Sequence, residues 1–181
     1  DILLMKKSPK LVYDAFEIPI GWVGIVHSSI GITNCYLTKT FDLLKESLQQ
    51  HSEYPRIQSK NLICIRTAVT EYFMGNNASL QNIPLDIPDN APQFFSRAWD
   101  ACRSIPVSET RSYAWLASHA GNSKAVRAAG QSMRRNKIPL FIPCHRIIHS
   151  DFTIGNYTSG GSAIKEYLLS LESKYKPLEK S

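Results

Sequence analysis

Cys144 and His145 stand side by side in Pro143-Cys144-His145-Arg146, entered through the apolar run Ile138 to Ile142 and left through Ile147-Ile148. The pair sets a nucleophile beside a base. The thiolate is the reactive form of cysteine, and a neighbouring imidazole and guanidinium both favour it. Adjacent side chains of an extended segment face opposite ways, so passage of the Cys144 proton to His145 requires a turn or a bridging water. The tetrapeptide alone also describes a buried structural cysteine, since free Cys is among the most buried residue types.

The elements that must position this pair lie just upstream. From Thr110 through Ser150 there is no Asp or Glu, while Arg111, Lys124, Arg127, Arg134, Arg135, Lys137 and Arg146 are basic, an electrostatic footprint for a polyanion. Ser112 or Tyr113 begins a short helix containing Ala114, Leu116 and Ala117. Gly121-Asn122 then makes a turn, and Ser123 is positioned to N-cap a second helix reaching about Asn136. On that helix Val126, Ala129 and Met133 form an apolar stripe, with Arg127, Arg134 and Arg135 on other faces. A buried seam with basic residues outside is what a DNA-docking helix-turn-helix requires; an ordinary amphipathic pair with a solvated basic face is the other reading. The small residues Ala128-Ala129-Gly130 let a backbone come close to a ligand.

The rest of the chain bounds the class. Its 181 residues are 43% hydrophobic, contain no low-complexity tract, and suffice for one large domain or two small ones. No apolar run approaches the ~20 residues that span a bilayer, and Ile2-Leu3-Leu4-Met5 followed by lysines reverses the order of a signal peptide. The expected location is the cytoplasm, or the nucleus of a eukaryotic cell, without a membrane partner. Residues 1 to 91 carry 8 basic and 9 acidic side chains, a net of −1, whereas residues 92 to 181 carry 13 and 6, a net of +7. The polyanion surface therefore belongs to the C-terminal half. Cys35, Cys64, Cys102 and Cys144 are too widely spaced for a zinc signature, so no metal is expected, and Cys64 and Cys102 read as packing residues. Ile20 to His27 and Gly31 to Leu37 predict an antiparallel hairpin, with Leu11 to Phe16 as a third strand. Phe41 to Gln50 predicts a helix, and Ser59 is placed to cap a longer one carrying Leu62, Ile65, Val69, Tyr72 and Phe73. Nothing in this half reads as catalytic. Pro92 opens the helix with Phe94, Phe95, Ala98, Trp99 and Cys102.

Ile105 to Glu172 resembles the C-terminal domain of the O6-alkylguanine-DNA alkyltransferases. The resemblance is carried in order by Ser112-Tyr113, Ala120-Gly121-Asn122, Lys124-Ala125-Val126-Arg127-Ala128, Met133-Arg134, Asn136, Ile142-Pro143-Cys144-His145-Arg146-Ile147, Gly155-Asn156-Tyr157, Gly160-Gly161 and Lys165 to Glu172. It implies an α/β (α+β) fold, in which an N-terminal antiparallel sheet with helices (1–90) packs as a scaffold on a mostly helical domain (91–181) with a winged-helix-like helix-turn-helix. It implies a monomer that needs no cofactor, binds double-stranded DNA containing O6-alkylguanine, flips that nucleotide out, and moves the alkyl group irreversibly to Cys144. Cys144, His145, Glu172, Tyr113 and Asn136 would then be catalytic. His145 would be oriented by Glu172 and would activate Cys144 through water, while Tyr113 would donate to the leaving base. Arg127, Tyr113, Ser123, Ala125, Ala128 and Arg134 would meet DNA, with Arg127 filling the vacated stack or contacting phosphate. Met133, Pro139, Ile147, Tyr157 and Ser159 would line the pocket.

Two departures and several rivals accompany the resemblance. Val107-Ser108-Glu109-Thr110 lacks the glycine usual before Glu-Thr, a change expected to alter a turn without touching chemistry, and Tyr157-Thr158-Ser159-Gly160-Gly161 is one residue longer than the family loop. Either Thr158 or Ser159 can inherit the loop's contact with the base, and Ser159 is the one expected to. Related non-catalytic sensors of alkylated DNA carry Trp where this chain has Cys144, so the cysteine favours transfer. A cysteine hydrolase would have little use for the acid-free stretch, and a plain transcription regulator would not need the pocket motif. Glu172, read without the family, is a solvated helix residue.

Overall fold

A computed structural model describes residues 11–56, 60–76 and 80–175. The lysine-rich start and the Ser59 cap lie outside the described residues. Three strands, β1 (Val12–Ile18), β2 (Gly21–His27) and β3 (Ile32–Thr38), form an antiparallel sheet in the order β1-β2-β3. Their period-two alternation gives each face its own partner. Phe16, Ile18, Val23, Ile25, Cys35 and Leu37 join the main core, while Ala15 and Val26 pack with Leu44 and Leu48 of helix α1 (Phe41–Leu48). Helix α1 is capped by Thr40, whose hydroxyl accepts from the Leu43 amide.

Helix α2 (Lys60–Phe73) buries Leu62, Ile65, Ala68, Val69, Tyr72 and Phe73. Cys64 falls on the opposite face of that helix and is exposed, so it is not a packing residue. Asp14 on β1 is buried and takes a bidentate ion pair from Arg66 of α2, whose guanidinium also lies 4.7 Å from the centroid of the Phe16 ring. Both sheet edges are occupied. The Tyr13 amide donates to Pro55 O on one side; on the other, Ile32 donates to Pro84 O and Cys35 donates to Lys137 O at 2.8 Å.

The C-terminal half follows with α3 (Gln93–Arg103), β4 (Arg111–Ser112), α4 (Tyr113–His119), α5 (Val126–Arg134), β5 (Ile147–Ile148) and α6 (Ser162–Ser173). Ser112 caps α4 by accepting from the Trp115 amide, and β4 pairs in parallel with β5, which brings the start of α4 to the segment just after Arg146. Trp99 of α3 donates to Ser132 O of α5. One continuous hydrophobic cluster runs from Phe16 through both halves to Leu168, so the expected division near residue 91 is not a break in the core. No helix among the described residues is long and apolar enough to cross a membrane.

Two details of the α4–α5 unit differ from expectation. Ser123 caps nothing: Asn122 forms the turn, its Oδ1 accepting from the Lys124 amide, and α5 starts three residues later behind Ala125, which offers no side-chain cap. The late start leaves Val126 on the first turn, beyond the packed body of the pair, where it is exposed; the buried positions are Ala129, Ser132 and Met133.

Asp14→Ala should leave the guanidinium of Arg66 facing Phe16 without its counter-charge. A loss of about 2 kcal/mol is expected, moderated by the partial exposure of Arg66, and urea denaturation measures it.

Candidate active site

The apolar run before Cys144 is not extended. Ile142 donates to Ile138 O, Leu140 takes a left-handed φ of 71°, and Cys144 to Arg146 form a 3-10 turn. A segment buried on all sides reads as a strand by composition, yet its hydrogen bonds close onto itself. The turn sends Cys144 toward Asn136 and Tyr157 and both His145 and Arg146 toward Glu172 of α6.

Cys144 is 4% exposed. The Asn136 amide nitrogen donates to its sulfur at 3.1 Å and to Ile142 O at 2.8 Å, while Asn136 Oδ1 accepts from the Ile138 amide. One side chain just past α5 thereby fixes both ends of the run and the sulfur. The Tyr157 hydroxyl is buried against the sulfur without completing a hydrogen bond of ordinary geometry. Lys165 of α6, 1% exposed, donates to Ile147 O at 2.6 Å. Burial pulls its ammonium pKa down to about 8, against the opposing influence of Cys144 and Cys102. For Cys144 itself, burial pushes the thiol up, and Asn136, Tyr157 and Lys165 pull it only part of the way back. This corrects the expectation that its sequence neighbours favour the thiolate, because His145 and Arg146 are both engaged elsewhere.

Their partner is Glu172 on α6, buried rather than solvated. His145 Nε2 lies 2.8 Å from Glu172 Oε1, Arg146 donates through Nε at 3.0 Å and Nη2 at 2.9 Å, and the Tyr72 hydroxyl donates at 2.6 Å. The Ser108 amide approaches Oε2 at 3.4 Å. Ser108 adopts φ 71°, the conformation a glycine would take, and its hydroxyl donates to Glu172 O. The substitution therefore keeps the turn and does reach the site. Burial would raise the Glu172 carboxyl, but His145 and Arg146 outweigh it and hold the group well below the usual carboxylate range. Burial lowers His145, with its hydrogen bond to Glu172 and the carboxylate's charge opposing. A carboxylate only accepts, so the Nε2 of neutral His145 carries the proton and Nδ1 bears the lone pair. That Nδ1 is buried and has no hydrogen-bond partner among the described residues.

The remaining predicted residues fall into two places. Tyr113, Arg127, Arg134, His149 and Asn156 line a surface depression of about 620 Å³, with the Tyr113 and His149 rings 5.3 Å apart. Burial raises the Tyr113 phenol, and Cys144 adds to the shift. Ser123, Ala125 and Ala128 lie around the start of α5 beside it, exposed or half-buried. Thr158 and Ser159 line a groove of about 550 Å³ with Asn136, Arg134, Lys137 and residues of β3. Gly160 closes this loop over β3, since a Cβ there would meet Ile164 and approach Leu37 O at 3.1 Å. Met133, Pro139 and Ile147 are buried in the core around the sulfur's segment and line neither cavity.

Residues 93–174 match the family model described as 6-O-methylguanine DNA methyltransferase, DNA binding domain. The constitutive methylated-DNA–protein-cysteine methyltransferase of Bacillus subtilis is 34% identical over 164 residues, 88% of this chain and 94% of that protein. The chain belongs to the methylated-DNA–protein-cysteine methyltransferase family. The relative from Cricetulus griseus is 39% identical over 178 residues, 93% of this chain and 85% of its own. A crystal structure of Mycobacterium tuberculosis OGT in complex with DNA superposes with a TM-score of 0.78 at 28% identity, covering 92% of this chain and 96% of that one.

The family match includes every residue of the Cys144 and Glu172 networks except Tyr72. Sequence reasoning missed Tyr72, set among core positions of α2, and gave no role to Lys165 or Ser108. A polar end on an otherwise apolar helical stripe was the available signal for Tyr72.

Glu172 stays ionised in the folded protein where an unfolded glutamate takes up a proton. Its stabilisation is complete above the ordinary pKa of 4.5 and is lost progressively as pH falls from there toward the folded value. Glu172→Gln should therefore cost about 3 kcal/mol at pH 7 and flatten the acid limb of the stability curve, measured by urea melts from pH 3 to 7.

Proposed function

We propose that this protein repairs O6-alkylguanine in duplex DNA, chiefly O6-methylguanine, by moving the alkyl group to Cys144 once and irreversibly. The observation carrying the reading is a buried thiol held by Asn136 next to a neutral imidazole fixed by Glu172, within a chain of this family. The two halves divided near residue 91 act as scaffold and reaction domain, in a monomer working inside the cell.

Guanine O6 is stacked inside the duplex, whereas Cys144 is enclosed, so the nucleotide must rotate out before reaction. Arg127, exposed at the start of α5, replaces the departed base, and Ala125 and Ala128 allow close approach of the backbone. Arg134 and the turn at Ser123 meet phosphates. The base enters between Tyr113 and the loop of Tyr157 to Gly160, with Ser159 contacting it and Met133, Pro139 and Ile147 backing the alkyl side.

The thiol proton passes through a water to His145 Nδ1, and the resulting imidazolium is stabilised by Glu172. Sulfur then forms a bond to the alkyl carbon as the carbon–O6 bond breaks, the pair of electrons remaining on the base. Tyr113 donates to the base, so that guanine leaves without accumulating full negative charge. The product S-alkylcysteine is a thioether with no easy leaving group, which ends the protein's activity. The proton taken from the thiol returns from His145 through water to Tyr113, so the net products are S-alkylcysteine and neutral guanine and the step requires no cofactor.

Incubation with duplex containing O6-methylguanine should raise the intact mass by one methyl group on Cys144 and no further. Cys144→Ser should lose transfer yet keep DNA affinity; an unchanged mass with tight lesion binding would instead make the protein a sensor. Arg127→Ala should slow repair of duplex DNA roughly a hundredfold while slowing reaction with the free alkylated base far less, because only the duplex has a stack to leave. Parallel single-turnover assays on the two substrates read the difference, and equal losses would move Arg127 out of the flipping step.

A further inference from the structure

Phe152 combines two features found together nowhere else among the described residues. Its side chain is 82% exposed, and its backbone sits in the left-handed region at φ 66°. A bulky residue in that region costs stability, and an exposed ring regains none of it by burial. The other non-glycine residues with positive φ are Ser108, which bonds to α6, and Leu140, which is buried. The Phe152 ring, left in solvent, gains no burial to offset its conformation.

The conformation is imposed by its surroundings. His149 donates to Thr153 O at 2.9 Å and Phe152 donates to His149 O at 3.0 Å, closing a turn at the end of β5. Asp151 Oδ1 accepts from both the amide and the hydroxyl of Thr153, at 3.0 and 2.6 Å. The base of the turn is fixed as well. His149 lies against the Tyr113 ring on one side and against Gly155 on the other, where a Cβ would come within 2.6 Å of Nε2. The turn thus stands on the rim of the depression that holds Tyr113, Arg127, Arg134 and Asn156.

We propose that Phe152 is a wedge that inserts between base pairs of duplex DNA beside the nucleotide taken up by the site. This rests on the reading that the face around Arg127 binds DNA. Proteins that bend or open a duplex insert apolar side chains at base steps, and a base step is an apolar slot bordered by phosphates. Phe152 offers the matching arrangement, one ring flanked by polar Ser150, Asp151 and Thr153, in a turn that begins at His149, which lines the depression together with Arg127 and Arg134. The lone carboxylate of the turn is directed at Thr153. A protein-docking surface would call for further apolar neighbours, which the turn lacks. Insertion would bury the ring and unstack the step next to the lesion, lowering the barrier to flipping.

Phe152→Gly and Phe152→Leu test the wedge, with a short duplex containing O6-methylguanine and 2-aminopurine at the neighbouring step. Phe152→Gly should melt at a higher temperature than the parent, bind the duplex about tenfold more weakly at fixed salt, and lose most of the rise in 2-aminopurine fluorescence. Phe152→Leu, still apolar, should keep most of the affinity. The loss on duplex should exceed any loss in reaction with the free alkylated base, which reports on the pocket alone. Unchanged affinity and fluorescence in Phe152→Gly would overturn the proposal. Arg134→Ala separates the two levels: if it weakens duplex binding and Phe152→Gly does not, the DNA face stands and the wedge falls, whereas if neither does, the face itself is misassigned and both readings fall.

Discussion

A carboxylate removed from water has to be met by donors, and Glu172 draws them from parts of the chain far apart in sequence. Tyr72 comes from α2, Ser108 from the linker ahead of β4, and His145 and Arg146 from the turn beside the thiol. Removing any of these donors leaves charge poorly compensated in a dry interior, so the arrangement is all or nothing. The same carboxylate selects the histidine tautomer. Local folding and the orientation of His145 thus depend on one group, and the N-terminal half, which looked like inert scaffold, supplies part of its environment.

The basic stretch divides into two populations once the fold is known. Arg146 is buried and committed to Glu172 and to Ile105 O, and Arg111 pairs with Glu109 just outside the acid-free segment. Arg135 lies over the Phe95 ring. The positive surface facing solvent is therefore concentrated on Lys124, Arg127, Arg134, Arg135 and Lys137 rather than spread over every basic residue in the segment. Long-range attraction of a polyanion would fall to these few charges.

Where local pattern and tertiary environment agree, the sequence was readable. The hairpin from Ile20 to Leu37 and the buried face of α2 emerge from period-two and helical spacing, and Ser112 marks the start of α4. Local pattern fails where a distant contact decides. Ile138 to Ile142 resembles a strand because it is apolar, but it lacks a neighbouring strand and turns on itself. Glu172 resembles a solvated helix residue because the Tyr72 hydroxyl that meets it lies 100 positions away. Ser123 has the right side chain for a cap, but Asn122 takes the turn first. Ser108 shows a subtler limit, since a residue type that avoids positive φ adopts it when two hydrogen bonds to the end of α6 hold it there.

The small sheet carries a consequence of its own. Three strands leave two edges, and open edges invite pairing between copies of a chain. Here the β1 edge is met at Tyr13 by the segment around Pro55, and the β3 edge is met at Ile32 by Pro84 and at Cys35 by Lys137. The Lys137 contact belongs to the stretch that leads into the reactive turn. The hydrogen bond that seats this segment on the sheet also occupies an amide through which neighbouring molecules could join, so one contact serves both the placing of the Cys144 turn and the closing of an edge.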